Sequence, residues 1–249
     1  VSMDPEGDGD EQVITLSFRD GFELRARLKP VNERQGEVTL SGDVYRVESE
    51  VLDRPMRKHK PQAFGRPSAE SEGVTGTDIR RGDSKGLYIA DDYNYQDKGG
   101  SLGTKTVNHD LREYKGEAGV NAAAIGYRTV VTDVYSVVEV DGAVDRLELD
   151  YSCAYSWTNG ALGSAATSVE GEVVIRNVTN GENVTTEELF ESSGTFFKFK
   201  DGSDSVSKLT TAKAFGNATY HVGIRATVSV DAFGPAASNA SIDGSNFID

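Results

Sequence analysis

From Arg146 to Trp157 apolar and polar residues alternate. Leu147, Leu149, Tyr151, Cys153, Tyr155 and Trp157 fall on one side, and Arg146, Glu148, Asp150, Ser152 and Ser156 on the other. A period of two held this long is a strand with one buried and one wet face, and no helix can satisfy it. The preceding stretch, 127–140, is apolar on both sides. Val130, Val134, Val138 and Val140 share one face, and Val131, Tyr135 and Val137 the other. That pattern predicts a strand covered on both faces, inside a sandwich or an assembly. Asp141-Gly142 between the two stretches predicts a two-residue hairpin turn, whose central positions both need positive φ.

The same periodicity recurs along the chain. Ile14, Leu16 and Phe18 lead through Asp20-Gly21 to Phe22, Leu24, Ala26 and Leu28, a hairpin that Pro30 is expected to end. Residues 36–51 predict one strand bent near Gly42-Asp43, and further strands are expected at 86–90, 169–176, 195–200 and 217–230. Asp201-Gly202 predicts a turn. Thr186 is placed to cap a short helix through Phe190, and a weaker helix is expected at 110–114. The fold class expected is all-β: an antiparallel, jelly-roll-like β-sandwich, or two β modules, with long irregular arms and at most short helices. Residues 1–53 form an N-terminal hairpin module with an acidic arm. Residues 54–126 form an extended basic, Pro/Gly-rich connection, 127–230 a C-terminal sandwich, and 231–249 a tail.

Charge narrows the function. Against 40 acidic residues the chain has 26 basic ones, a net charge of −14. Such a balance opposes nucleic-acid binding that relies on neutralising phosphates. The charge is unevenly spread. Residues 1–53 carry −7, residues 54–132 carry +3 and residues 133–249 carry −10. Arg54, Arg57, Lys58, Lys60 and Arg66 make the densest basic cluster, beside His59, and are the expected assembly contacts between identical subunits. Abundant Asp with Val, Thr, Ala, Gly and Ser, and sparse Lys, is a composition that resembles secreted or virion surface proteins of halophilic archaea and their viruses. Large negative charge keeps such proteins soluble. The one cysteine, Cys153, excludes an internal disulfide and is expected to be a buried hydrophobe. No run of 18 apolar residues predicts a membrane helix. An exported chain, extracellular or on a cell or virion surface, is the expectation.

No catalytic motif is present: no G-x-S-x-G elbow, no Walker loop and no Rossmann fingerprint. The histidines His59, His109 and His221 lack metal-ligand spacing, and His221 reads as structural or solvated. Asp91, Asp92, Asn94 and Asp97 gather hard oxygen ligands in what reads as a loop, and calcium is the cation such a loop would take. Tyr151, Tyr155 and Trp157 beside that loop outline a sugar platform, although the same rings fit the buried face of their strand. Asn177, Asn183, Asn217 and Asn239 stand in N-x-[ST] sequons. Arg81-Gly82-Asp83 spells an adhesion tripeptide of low information. The function expected is therefore non-catalytic. It is a structural subunit of an extracellular or virion assembly, such as a capsid, spike, filament or coat, joined through its arms into a homo-oligomer or larger particle. The alternative is a lectin- or adhesin-like module that binds sugar, with or without calcium.

Overall fold

The computed structural model describes residues 2–6, 12–17, 23–32, 35–40, 43–48, 76–99, 104–122, 125–161, 164–194, 199–233 and 236–248. Every regular element among them is a strand. Five lie in the N-terminal part: β1 (Ser2–Glu6), β2 (Gln12–Ser17), β3 (Glu23–Asn32), β4 (Gln35–Leu40) and β5 (Asp43–Glu48). They form one antiparallel meander in sequence order. The expected hairpin forms between β2 and β3, with Leu16 opposite Leu24 and Ile14 opposite Ala26. Residues 2–6 of the acidic arm extend the meander by pairing with β2. Two further expectations are corrected here. Residues 36–51 are not one bent strand, because β4 ends at Leu40 and β5, from Asp43, pairs antiparallel with it. Nor does Pro30 end its strand: the register with β4 shifts between Pro30 and Asn32. An irregularity there accommodates a residue that has no N–H to donate.

The remaining strands are β6 (Thr77–Ile79), β7 (Gly86–Leu87), β8 (Asp92–Gly99), β9 (Thr104–Asp110), β10 (Lys115–Ala122), β11 (Ile125–Val140), β12 (Arg146–Ala161), β13 (Ser164–Asn177), β14 (Glu182–Gly194), β15 (Phe199–Lys213), β16 (Ala218–Phe233) and β17 (Ala236–Ile248). One sheet runs β15-β12-β17-β10-β9, with β7 added on β17. The other runs β14-β13-β16-β11-β6, with β8 also on β11. From β10 to β17 every sequential connection crosses between sheets except β13–β14. Two interleaved four-strand sets, β15-β12-β17-β10 and β14-β13-β16-β11, are the double Greek key of a jelly roll. The expected all-β sandwich is the observed fold.

The core lies between the sheets. Val130, Val134 and Val138 of β11 and Val169, Val173 and Ile175 of β13 meet Leu147, Leu149, Tyr151 and Cys153 of β12. Tyr220, Val222, Ile224, Ala226, Val228 and Val230 give β16 an unbroken buried face. Burial pushes the Cys153 thiol up to about 12, so it is inert packing.

The stretch 127–157 is two strands, but they are not a hairpin. β11 pairs with β16 and β12 with β15 and β17, so the chain changes sheets at 141–145. Asp141 shapes that corner: its backbone oxygen accepts from Val144 N and its Oδ1 from Ala143 N. Gly142 does not take positive φ. A Cβ there would stand 2.8 Å from Asn217 Nδ2, so close approach of the 214–217 turn selects the glycine.

Other expectations fail for stated reasons. Residues 186–190 belong to β14, because pairing with β13 outweighs the local capping signal. Residues 111–114 are a turn, with Asp110 Oδ1 accepting from Arg112 N and Glu113 N. Asp201-Gly202 lies inside β15, opposite Trp157 in register. Within the segment read as a connection, residues 77–122 supply β6 to β10. The tail supplies β17, which lies between β12 and β10 in the middle of its sheet.

Candidate functional site

The outer face of the β14-β13-β16-β11 sheet carries charge where a jelly roll can leave plain solvated polar residues. Three cross-strand rows define it. Arg176 of β13 lies opposite His221 of β16, and His221 opposite Val137 of β11. The next row runs Val174, Gly223, Tyr135 and, on β8, Asp92. The third runs Glu172, Arg225, Asp133 and Asn94. Side chains in adjacent rows touch, so the face works as one cluster.

Arg225 and Asp133 are its anchor. Arg225 Nε donates to Asp133 Oδ1 at 2.8 Å, and the two side chains are only 6% and 13% exposed. Glu172 Oε2 lies 3.8 Å from Arg225 Nη1. Burial raises Asp133 against the pull of Arg225. Burial, with Glu170 nearby, raises Glu172 to about 7. Tyr135 and His221 stack with centroids 3.9 Å apart, and the Tyr135 hydroxyl donates to Asp92 Oδ2 at 3.2 Å. Burial, then Arg176, depresses His221 to about 4, so its imidazole is neutral.

A turn roofs this face. Asn177 is 3% exposed, and its Oδ1 accepts from Thr179 N at 2.9 Å and Asn180 N at 3.2 Å. Gly181 N bonds Asn177 O, and Val178 N bonds Thr219 O. Arg176 Nη2 reaches Gly181 O at 3.5 Å. Beneath the turn lies a pocket of about 190 Å³. Its floor is Gly223, which leaves the sheet at backbone height between Val174 and Tyr135. A Cβ there would stand 2.2 Å from Val134 O, so β11 and β16 tolerate no side chain at this point.

The sites expected from sequence fall elsewhere or come apart. The acidic cluster is not a loop but the start of β8. Asp91 Oδ2 accepts from Val137 N at 2.7 Å, and burial raises its carboxyl. Asn94 lines the pocket, and Asp92 is held by Tyr135 beside it. Asp97 lies five residues beyond Asp92 along the strand, roughly 16 Å away. Arg128 and Lys105 hold Asp97, at 2.7 Å each, and lower it to about 2. Alternation on a strand prevents the four from converging, and among the described residues no group of three or more His, Cys, Asp or Glu is placed to hold a metal.

Tyr151 is buried, and Tyr155 and Trp157 pack on Phe190 with centroids 4.8 and 6.4 Å away, so the rings lie on the inner face. Of the sequon asparagines, Asn177 is buried in the roof, Asn217 is exposed at φ 57°, Asn239 is half-buried with its Nδ2 3.4 Å from Thr158 Oγ1, and the side chain of Asn183 lies outside the described residues. Arg54, Arg57, Lys58, Lys60 and Arg66 lie outside the described residues. His109 of β9 stacks on Tyr93 of β8, with centroids 4.1 Å apart.

In the sequence Glu172 and Arg176 alternate with Val173 and Ile175, and Asp133 interrupts a stretch that is apolar on both sides. The signal was available: a carboxylate inside a strand apolar on both faces must find a charged partner.

The two sides of the sandwich are finished differently. On one side β6 and β8 cover the outer edge of β11, and β9 covers that of β10. On the other, β14 with 13 residues and β15 with 15 end their sheets, and no described strand pairs with their outer edges. Leu209 of β15 and Phe215 just beyond it are 59% and 51% exposed.

No family model matches the chain, and no curated protein matches it by sequence. Several solved structures are similar to it in shape. A family 11 carbohydrate-binding module from Clostridium thermocellum, solved with a mixed-linked tetrasaccharide, shares 8% identity over 62% of this chain and 88% of its own, with a TM-score of 0.26. A structure of carbohydrate-binding modules from the β-sandwich superfamily shares 11% over 99% and 94%, also at 0.26. The infectious bursal disease virus Gx strain structure shares 10% over 96% of this chain and 51% of its own, at 0.19. The fold assignment rests on the strand order itself: the chain is an all-β protein with a jelly-roll sandwich.

Proposed function

We propose that this protein is a non-catalytic building block of an extracellular or virion assembly, joined to its neighbours along the open side of the sandwich. The observation that carries this reading is the asymmetry of the edges. Unpaired edge strands this long are templates for association, and natural proteins cover or shorten them unless they are used. Here one side is covered by added strands, while no described strand pairs with the outer edges of β14 and β15, beside exposed Leu209 and Phe215. Charge supports the same reading. The basic segment around Arg54–Arg66 and the strongly acidic residues 133–249 are complementary between copies. In this reading residues 1–53 act as a separate β module, and the acidic surface suits a high-salt habitat.

The test is light scattering after size exclusion in about 2 M and about 0.1 M salt, where surface charge is screened very differently. A mass of many subunits in at least one condition is expected. Leu209→Glu combined with Phe215→Ser should return it to monomer without lowering the melting temperature. A monomer at both salt concentrations sinks the reading.

A further inference from the structure

We propose that the roofed pocket over Gly223 binds one neutral sugar ring, free or at the end of a glycan, through donors and acceptors set around an apolar wall. This goes beyond the building-block reading and does not depend on it. Charge balance comes first. Arg225 is paired with Asp133 and Glu172, Arg176 reaches the Gly181 carbonyl within the field of Asp133, and Asp92 accepts from the Tyr135 hydroxyl. The cluster therefore calls for neither an anion nor a cation. What it offers is a mixed set of donors and acceptors. Arg176 and Arg225 bring guanidinium N–H groups to the lining, Asp133 and the neutral His221 imidazole bring acceptors, and the Asn94 amide brings both. A hydroxyl both donates and accepts, so a ring bearing several of them matches such a surface. Val174 and Val178 give the C–H face of a ring an apolar wall.

Size sets the limit. At about 190 Å³ the pocket is smaller than the roughly 300–1,000 Å³ of drug-sized sites, which fits one ring and not a chain. Exposed Thr179 and Asn180 stand at its rim, so it opens to solvent at the turn. The roof is pinned by Asn177 and by the Val178–Thr219 bond, so the shape exists before any ligand arrives.

Saturation-transfer NMR and titration against methyl glycosides of neutral hexoses and pentoses test this, with galacturonate as the charged comparison. At least one neutral glycoside should bind saturably, and its affinity should fall tenfold or more in Arg176→Gln and in Asn94→Leu. Should both variants fail to fold, chemical-shift mapping on the unaltered protein decides, with perturbation expected at the Gly223 amide and the His221 ring. The proposal is overturned if no glycoside binds, if the shifts map elsewhere, or if both variants fold and bind unchanged. Tighter binding of galacturonate than of its neutral counterpart also overturns it and makes the pocket an anion site. Light scattering reports on assembly independently of all these outcomes.

Discussion

Arg225 is the residue on which the outer face depends. Removing it leaves Asp133 buried without its partner, and Glu172 loses its nearest cation. Arg225→Met should cost about 3–5 kcal/mol, the usual penalty for orphaning a buried charge, read from urea unfolding. Titration separates two neighbours. Glu172 is raised from 4.5 to about 7 in the folded state, so the folded chain holds a proton that the unfolded chain has released. Its contribution lowers stability as pH rises from about 4.5 to 7, and Asp133 acts in the same direction. His221 is depressed from 6.5 to about 4, so the unfolded chain is the one that holds the proton. Its contribution raises stability as pH rises from about 4 to 6.5. The two oppose each other over most of the range. Relative to the parent, Glu172→Gln should shift the change in stability between pH 4 and 6.5 upward by about 2–3 kcal/mol, with Asp133 still opposing the histidine. A pH series of urea midpoints reads it, and a profile unchanged from the parent would refute the opposition.

At the scale of elements, β16 is the pivot of the sheet that carries the pocket. It pairs along its whole length with β11 on one side and, from Tyr220 to Phe233, with β13 on the other. Gly223 is where that pairing is tightest, since any Cβ would meet the Val134 carbonyl and Tyr135 at once. Gly223→Ala should therefore push β11 away from β16 and destabilise by about 2 kcal/mol or more, the range of overpacking with backbone shift. Thermal melting checks it. The roof depends on one side chain. Asn177→Ala removes the acceptor for two turn N–H groups and the contact with the Tyr220 hydroxyl, and should cost about 1–3 kcal/mol. Faster amide exchange at Thr179 and Asn180 is the local signature, and exchange rates unchanged there would show that the turn holds without it.

For the whole molecule, the open side of the sandwich and the charge division act together. Association through backbone edges should persist at high salt. Association through the basic segment should weaken as salt screens it. Light scattering across a salt series on the parent and on the Leu209→Glu, Phe215→Ser variant distinguishes the two. Edge-driven particles should survive salt and vanish in the variant.

Strand-forming stretches were legible because alternation is a local property: residues 146–157 and 217–230 declare one apolar and one polar face wherever they end up. The all-β class, the burial of Cys153 and the double covering of 127–140 followed from that alone. Partner choice was not local. Asp141-Gly142 looks like a hairpin turn, yet the chain changes sheets there, because β11 gains more from lying beside β16 than from folding onto β12. Small residues hid β17: Ala236, Ala237, Ser238 and Ala240 read as a tail, but between β12 and β10 there is room for little else. The pocket was invisible for the same reason. Arg176, His221, Gly223, Arg225 and Asp133 come from three strands, and each strand shows only a polar or apolar period. The sequence by itself determined which stretches are strands and which face of each is apolar, since periodicity needs no partner. Only the tertiary structure decided the strand order, the open edges and the charged pocket, since those depend on registers between residues far apart in the chain, Gly86 and Ile248 among them.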